Sequence, residues 1–137
     1  MFNQEAYLQG ALYFLIAFGL ACLFLVLFQL VYQATTPQDE KRLIKDGNVA
    51  AAITFGGAIV GFALPVSSAL NQTTSIAEFA AWAALAGVVQ IVAAFVIRLL
   101  VIKDVHTRIE RGEVATGIYL AAVAIAIGLI NAASMTY

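Results

Sequence analysis

Few residues in this 137-residue chain could do chemistry, and most of them stand in apolar surroundings. Thr54, Gly57, Gly61, Pro65 and Ser68 follow one another at spacings of 3, 4, 4 and 3, which places them on one helical face. Gly57 and Gly61 form a GxxxG pair, the pattern that lets membrane helices approach to backbone contact. That face has two readings. In one it is a packing seam. In the other, Pro65 removes a backbone donor and frees the carbonyl of Gly61, and Ser67 and Ser68 line a kinked or broken segment. A second stripe, Ala83, Gly87, Gln90, Ala94 and Arg98, carries an amide near mid-bilayer, as interhelical glue or solute contact, and a guanidinium near the inner interface, as a snorkelling side chain or a site group. A third, Gly117, Ala121, Ala124, Gly128 and Asn131, ends near Ser134, and Asn131 is expected to meet Pro65 or Ser68. The candidate intramembrane polar site is therefore Pro65, Ser67, Ser68, Gln90, Asn131 and Ser134.

Other chemistries find no residues to carry them. No Asp or Glu lies inside an apolar stretch, which argues against transport that needs a titrating intramembrane carboxylate. His106 and Glu110 could share a metal at helical spacing, but two ligands make no closed site, and a solvated loop is the simpler reading. A lone histidine excludes bis-histidine haem, and no cofactor is expected. Cys22 allows no intramolecular disulfide and reads as a small hydrophobe. With no nucleophile beside a base, no acidic pair and no phosphate-binding loop, the expectation is that this is not an enzyme.

The elements that must position these residues follow from composition. At 63% hydrophobic and 11% charged, the chain cannot assemble the surface of a soluble domain, which runs about 25% charged. Four apolar stretches, Gly10 to Tyr32, Val49 to Leu70, Phe79 to Ile102 and Val114 to Thr136, each hold at least 22 residues. At about 1.5 Å per residue each can cross a hydrocarbon core of about 30 Å. Alternation of period two is absent, so the fold class is all-α, an integral membrane protein with four transmembrane helices in a single membrane domain, residues 1–137.

The basic residues give an orientation. Lys41, Arg42 and Lys45 fall between spans one and two, Lys103, Arg108 and Arg111 between spans three and four, and Arg98 near the inner end of span three. The positive-inside rule puts both bends in the cytoplasm and both termini in the periplasm. Tyr13, Tyr137 and Trp82 then fall at or just inside the outer interface, and Tyr32 and Tyr119 at or near the inner one. No basic residue precedes span one, so no cleavable signal peptide is expected. Ser75 to Glu78 reads as a capping box, Asn48 as the cap of span two, and Glu113 as a negative charge at the start of span four. Thr36-Pro37-Gln38-Asp39 is expected to open a short helix with Pro at its first position and Leu43 and Ile44 on the membrane surface.

Shifting the chain by 65 residues lays Asp39, Ile44, Gly47, Val49 and Ala50 on Asp104, Ile109, Gly112, Val114 and Ala115. Gly57 and Gly61 then fall on Ala122 and Ala126. These small residues, with Gly87, are the expected helix-packing set. We read two parallel helical hairpins, about 10–70 and about 75–136, from a duplication.

The run Leu43 to Ala52, then Gly57, Gly61-Phe62, Pro65, Ser67-Ser68-Ala69, Trp82, Gln90, Arg98, Thr116-Gly117 and Gly128 to Met135, resembles the YjfL family of bacterial inner-membrane proteins. The resemblance covers almost the whole chain. It implies a four-helix protein of two similar halves in the bacterial inner (cell) membrane, with no activity to transfer, in members often encoded beside phage-shock-type envelope-stress proteins and ATP-grasp enzymes. Two functions stay open. One is a small homo-oligomeric (dimeric) transporter or channel for a solute or ion. The other is a non-transporting scaffold or adaptor in envelope stress, recruiting a cytoplasmic or membrane protein through Asp39 to Lys45 and Arg108 to Glu113. An enzyme acting on lipid or polyamine conjugates is the least favoured. The expected partners are the lipid bilayer and a second copy, not nucleic acid.

Overall fold

A computed structural model describes residues 1–37 and 39–135. Gln38, Thr136 and Tyr137, which carry parts of the short-helix, fourth-span and outer-interface expectations, lie outside them. Six helices follow in order among the described residues: α1 (Gln4–Thr35), α2 (Glu40–Lys45), α3 (Val49–Gln72), α4 (Ile76–Leu100), α5 (Val105–Glu110) and α6 (Val114–Ser134). The four long ones are each apolar and long enough to cross a membrane.

Helix α3 is the central element. It packs along α6 most extensively and also touches α1, α2, α4 and α5. The α3–α6 seam is built by missing side chains. A Cβ on Gly57 would overlap Ala121, one on Gly61 would overlap the carbonyl of Ala124, and one on Gly117 would stand 2.7 Å from the carbonyl oxygen of Ala50. A Cβ on Gly128 would collide with the carbonyl oxygen of Gly61. That oxygen is the one Pro65 leaves without its helical donor, so the proline and the glycine answer each other across the seam. Helix α3 is nevertheless continuous through Pro65, which is buried, so the broken-segment reading fails.

Ala122 and Ala126 do not pack as the 65-residue register suggests; both are exposed. The glycines decide the face. Gly117 and Gly128 lie on one side of α6 with Ala121 and Ala124 between them, and Ala122 stands one residue, about 100°, round from Ala121. Gly87 of α4 meets a ring instead of a backbone: its Cβ would lie 3.2 Å from Phe62, which stacks on Phe28 of α1 at 4.4 Å and 9°.

Both bends lie at the same end of the bundle. Leu43 of α2, Val105 and Ile109 of α5, Ala50 and Ala51 of α3 and Leu120 of α6 form one apolar cluster there. Asn48 caps α3 by accepting from the Ala51 N–H at 2.9 Å and donates to the Ile109 carbonyl at 2.7 Å, tying one bend to the other. Each bend passes through a left-handed glycine, Gly47 at φ +85° and Gly112 at φ +78°. Ser75 caps α4 as expected, accepting from the Glu78 N–H at 3.0 Å.

Two local expectations need correction. The N-cap of α2 is Asp39, not Thr36, and Pro37 precedes the helix; Thr36 is taken up as the C-cap of α1. Leu43 turns into the protein, although Ile44 stays exposed. Tyr32 is 3% exposed and turned into the bundle.

Candidate functional site

The polar groups that α4 and α6 bring together are Gln90 and Asn131. Gln90 is buried; its Nε2 donates to the Ala124 carbonyl at 3.2 Å and its Oε1 accepts from Asn131 Nδ2 at 3.2 Å. Asn131 Nδ2 also reaches the Ala86 carbonyl at 3.1 Å. Asn131 thus meets α4, not Pro65 or Ser68 of α3 as expected. The reason is the close α3–α6 seam, where backbone contact at Gly61 and Gly128 leaves no room for an amide between those helices. Ser68 instead donates to the Ala132 carbonyl at 3.2 Å. Ser67 and Ser134 are exposed, and Ser134 bonds the Ile130 carbonyl of its own helix at 2.8 Å. Of the six predicted residues, two make a side-chain pair and Ser68 only a backbone contact nearby.

Below Gln90, toward the bend end, a narrow cleft of about 30 Å³ runs between α1, α3, α4 and α6. That is room for a water or two at about 10–15 Å³ each. Its polar lining is Thr54, Gln90, Tyr32 and Arg98. Thr54 is buried and gives its proton to the Ala50 carbonyl at 2.8 Å. At the floor Arg98 Nη2 donates to Tyr32 Oη at 2.8 Å, with the guanidinium carbon 5.7 Å from the ring centroid. Arg98 therefore does not simply snorkel; it closes the lower end of the cleft against an aromatic from α1.

Just beyond that floor stands a residue of the charged segment Asp39 to Lys45. Glu40, the first residue of α2, is 1% exposed. Thr36 donates to its Oε2 at 3.0 Å, while Oε1 has no hydrogen-bond partner. The amide nitrogen of neighbouring Gln33 is likewise buried and unpartnered. Burial pushes the Glu40 carboxyl above the ordinary glutamate range; the Thr36 and backbone hydrogen bonds and the Arg98 charge pull the other way, and Asp39 adds to the rise. The available signals were the Thr36–Glu40 spacing of one helical turn and the need of Arg98 for a counter-charge.

The second bend is arranged differently. Glu113 Oε1 accepts from Thr116 Oγ1 at 2.6 Å and from Arg108 at 2.9 Å, and these bonds hold its carboxyl below the usual range. His106 and Glu110 are exposed, and the histidine ring lies 3.3 Å from Thr107 Oγ1. Cys22 is exposed on α1.

Residues 6–135 match the family described as Domain of Unknown Function (DUF350). The chain belongs to the DUF350 family. It is 32% identical to the UPF0719 inner membrane protein YjfL of Escherichia coli (strain K12), over 95% of this chain and 98% of that protein. It is 25% identical to the UPF0719 transmembrane protein YshE of Bacillus subtilis (strain 168), over 86% and 89% of the two chains. No solved structure matches it. The expected resemblance is thus correct, and the chain is an all-helical, multi-pass inner-membrane protein of a family without assigned function.

Proposed function

We propose that this DUF350 protein is a non-enzymatic subunit of a small homodimeric channel or transporter for a solute or ion, with its bends in the cytoplasm and its termini in the periplasm. The observation that carries this reading is the cleft lined by Thr54, Gln90, Tyr32 and Arg98 inside a bundle whose outer faces are apolar. In hydrocarbon such groups are costly unless they serve packing or a polar solute. The groups gathered there, a buried amide, a threonine and an arginine on a tyrosine, suit binding and gating more than bond-making. A cleft of about 30 Å³ is too small to pass a solute by itself, hence the second copy. Both clusters of Lys and Arg lie at the shared bend end, which supports the orientation. The matching bends, each a short helix, a left-handed glycine and a long helix, support descent from a duplicated hairpin.

The test is release of osmolytes and of potassium and chloride salts from proteoliposomes. Ala94→Phe should block the cleft and abolish flux, whereas Gly56→Ala, at a helical position with nothing within 4 Å, should leave it intact. If liposomes with and without protein release every probe at the same rate, the transport reading is wrong. A scaffold is the second reading, favoured by the hollow of about 460 Å³ between the bends, where Asp46, Glu110 and Arg111 face water. Crosslinking from those positions in cells should then recover one protein partner reproducibly.

A further inference from the structure

Glu40 buries a carboxylate oxygen, Oε1, to which no group of the protein donates a hydrogen bond. Glu40 lies at the bend end beside Thr36 and Gln33 of the α1 terminus, with which it lines a hollow of about 270 Å³, and it is 1% exposed. The ionisable groups that act on it are Arg98 from α4, Tyr32 from α1 and Asp39 just before it; α3 carries no ionisable side chain. A buried ionised oxygen needs a donor, and the protein gives Oε1 none. The Arg98 charge acts on Glu40, but Arg98 directs its Nη2 to Tyr32 at 2.8 Å, and no ion pair joins Arg98 and Glu40 among the described residues. The arrangement fits a neutral carboxyl better than an anion.

We propose that Glu40 is a reversible proton-binding site that sets the partner of Arg98. With the proton bound, Glu40 stays neutral and seated, and Arg98 holds Tyr32 across the floor of the cleft. When the proton leaves to water, the bare Oε1 draws the guanidinium from the tyrosine, and the floor opens or α2 loosens with it. The ligand is a proton. The device does not rest on the transport reading, because it concerns which groups pair at the bend end and not what crosses the membrane.

The experiment uses the full chain in lipid nanodiscs with glutamate carboxyl carbons labelled with ¹³C and arginine guanidinium nitrogens with ¹⁵N. The Glu40 signal is assigned with Glu40→Asp, and the Arg98 signal with Arg98→Lys. On titration from below the ordinary glutamate range to above neutrality, the Glu40 carbon should shift with a midpoint above that of the exposed glutamates. The Arg98 nitrogens should shift with the same midpoint. In Glu40→Gln, which mimics the protonated form, the Arg98 signal should be flat across that range. A spin label on exposed Lys41→Cys, in a Cys22→Ala background, reports α2 in the same samples and should gain mobility on the alkaline side only while Glu40 is present. The proposal is overturned if Glu40 titrates with the exposed glutamates. It is equally overturned if Arg98 ignores the Glu40 titration, and both of those measurements need only the wild-type fold once assigned.

Discussion

The two bends each run through a six-residue helix into a left-handed glycine, but α2 is entered from an extended Asp39 and α5 from a left-handed Asp104, and their electrostatics are opposite. In the first, Glu40 is buried and its carboxyl is pushed up by loss of water; in the second, Glu113 is half-exposed and is held down by Thr116 and Arg108. Their caps differ too. Asn48 closes the N-terminus of α3 and reaches over to the carbonyl of Ile109, whereas Glu113 makes no side-chain cap to α6 and ties itself to its own bend. One bend is a latch to the rest of the molecule and the other is self-contained. A similar helix and glycine turn has been put to two uses by changing which polar groups it encloses.

The largest break in that comparison should come from Asn48→Ala. It removes a helix cap and the hydrogen bond to a carbonyl whose residue, Ile109, is fully buried. The two losses together are on the order of 2 kcal/mol. Thermal unfolding of the purified chain in detergent should show it, and Glu113→Ala in the same assay should cost clearly less because its bonds are open to water. Equal losses would mean that the bends are tethered alike.

Next in size are Gly47→Ala and Gly112→Ala. A Cβ added at either position would meet no atom within 4 Å, so steric crowding is absent and only the left-handed backbone resists. Each should cost about 1 kcal/mol, and by the same amount in both bends, in the same thermal assay. A marked inequality would show that the turns differ in strain despite their matching angles.

How much of this could be read from the residues follows the same division. The four spans and their small-residue stripes were legible because lipid demands long apolar helices and close packing demands absent side chains. Gly57 and Gly61 therefore lie where the pattern puts them. Ala122 and Ala126 do not, because aligning two sequences says which residues correspond and not which way a helix is rotated about its axis. Applied to structure, the same register would have predicted α5, since Glu40–Lys45 falls on Val105–Glu110 after the shift of 65. The Gln90–Asn131 pair was half legible: both amides had to find partners, but the choice between α3 and α4 depended on the depth of the α3–α6 seam. Glu40 was hidden because a charge in a short polar loop ordinarily points to water, and only the folded bend buries it.

The smallest effects expected are also the ones that separate the two carboxylates most sharply, by the sign of their pH dependence. Glu40 sits above its unfolded range, so its contribution to stability is fully present in acid and is lost as pH rises through the folded value. Glu113 sits below its unfolded range, so its contribution is present at neutrality and is lost as pH falls through the folded value. Between them the midpoint of unfolding should decline on both sides of an optimum in the ordinary glutamate range, where neither contribution has yet been lost. Glu40→Gln should flatten only the alkaline limb, because a neutral amide has no proton to lose. Glu113→Gln, or Thr116→Val, which removes the hydroxyl donor, should flatten only the acidic limb, and by less, since its partners compete with water and salt. Thermal unfolding scanned across pH at low and high ionic strength checks both: added salt should weaken the Glu113 limb and leave the Glu40 limb nearly unchanged, because an enclosed group is poorly screened. If salt erased both limbs alike, Glu40 would have to be as open to water as Glu113, and the contrast between the bends would fail at its origin.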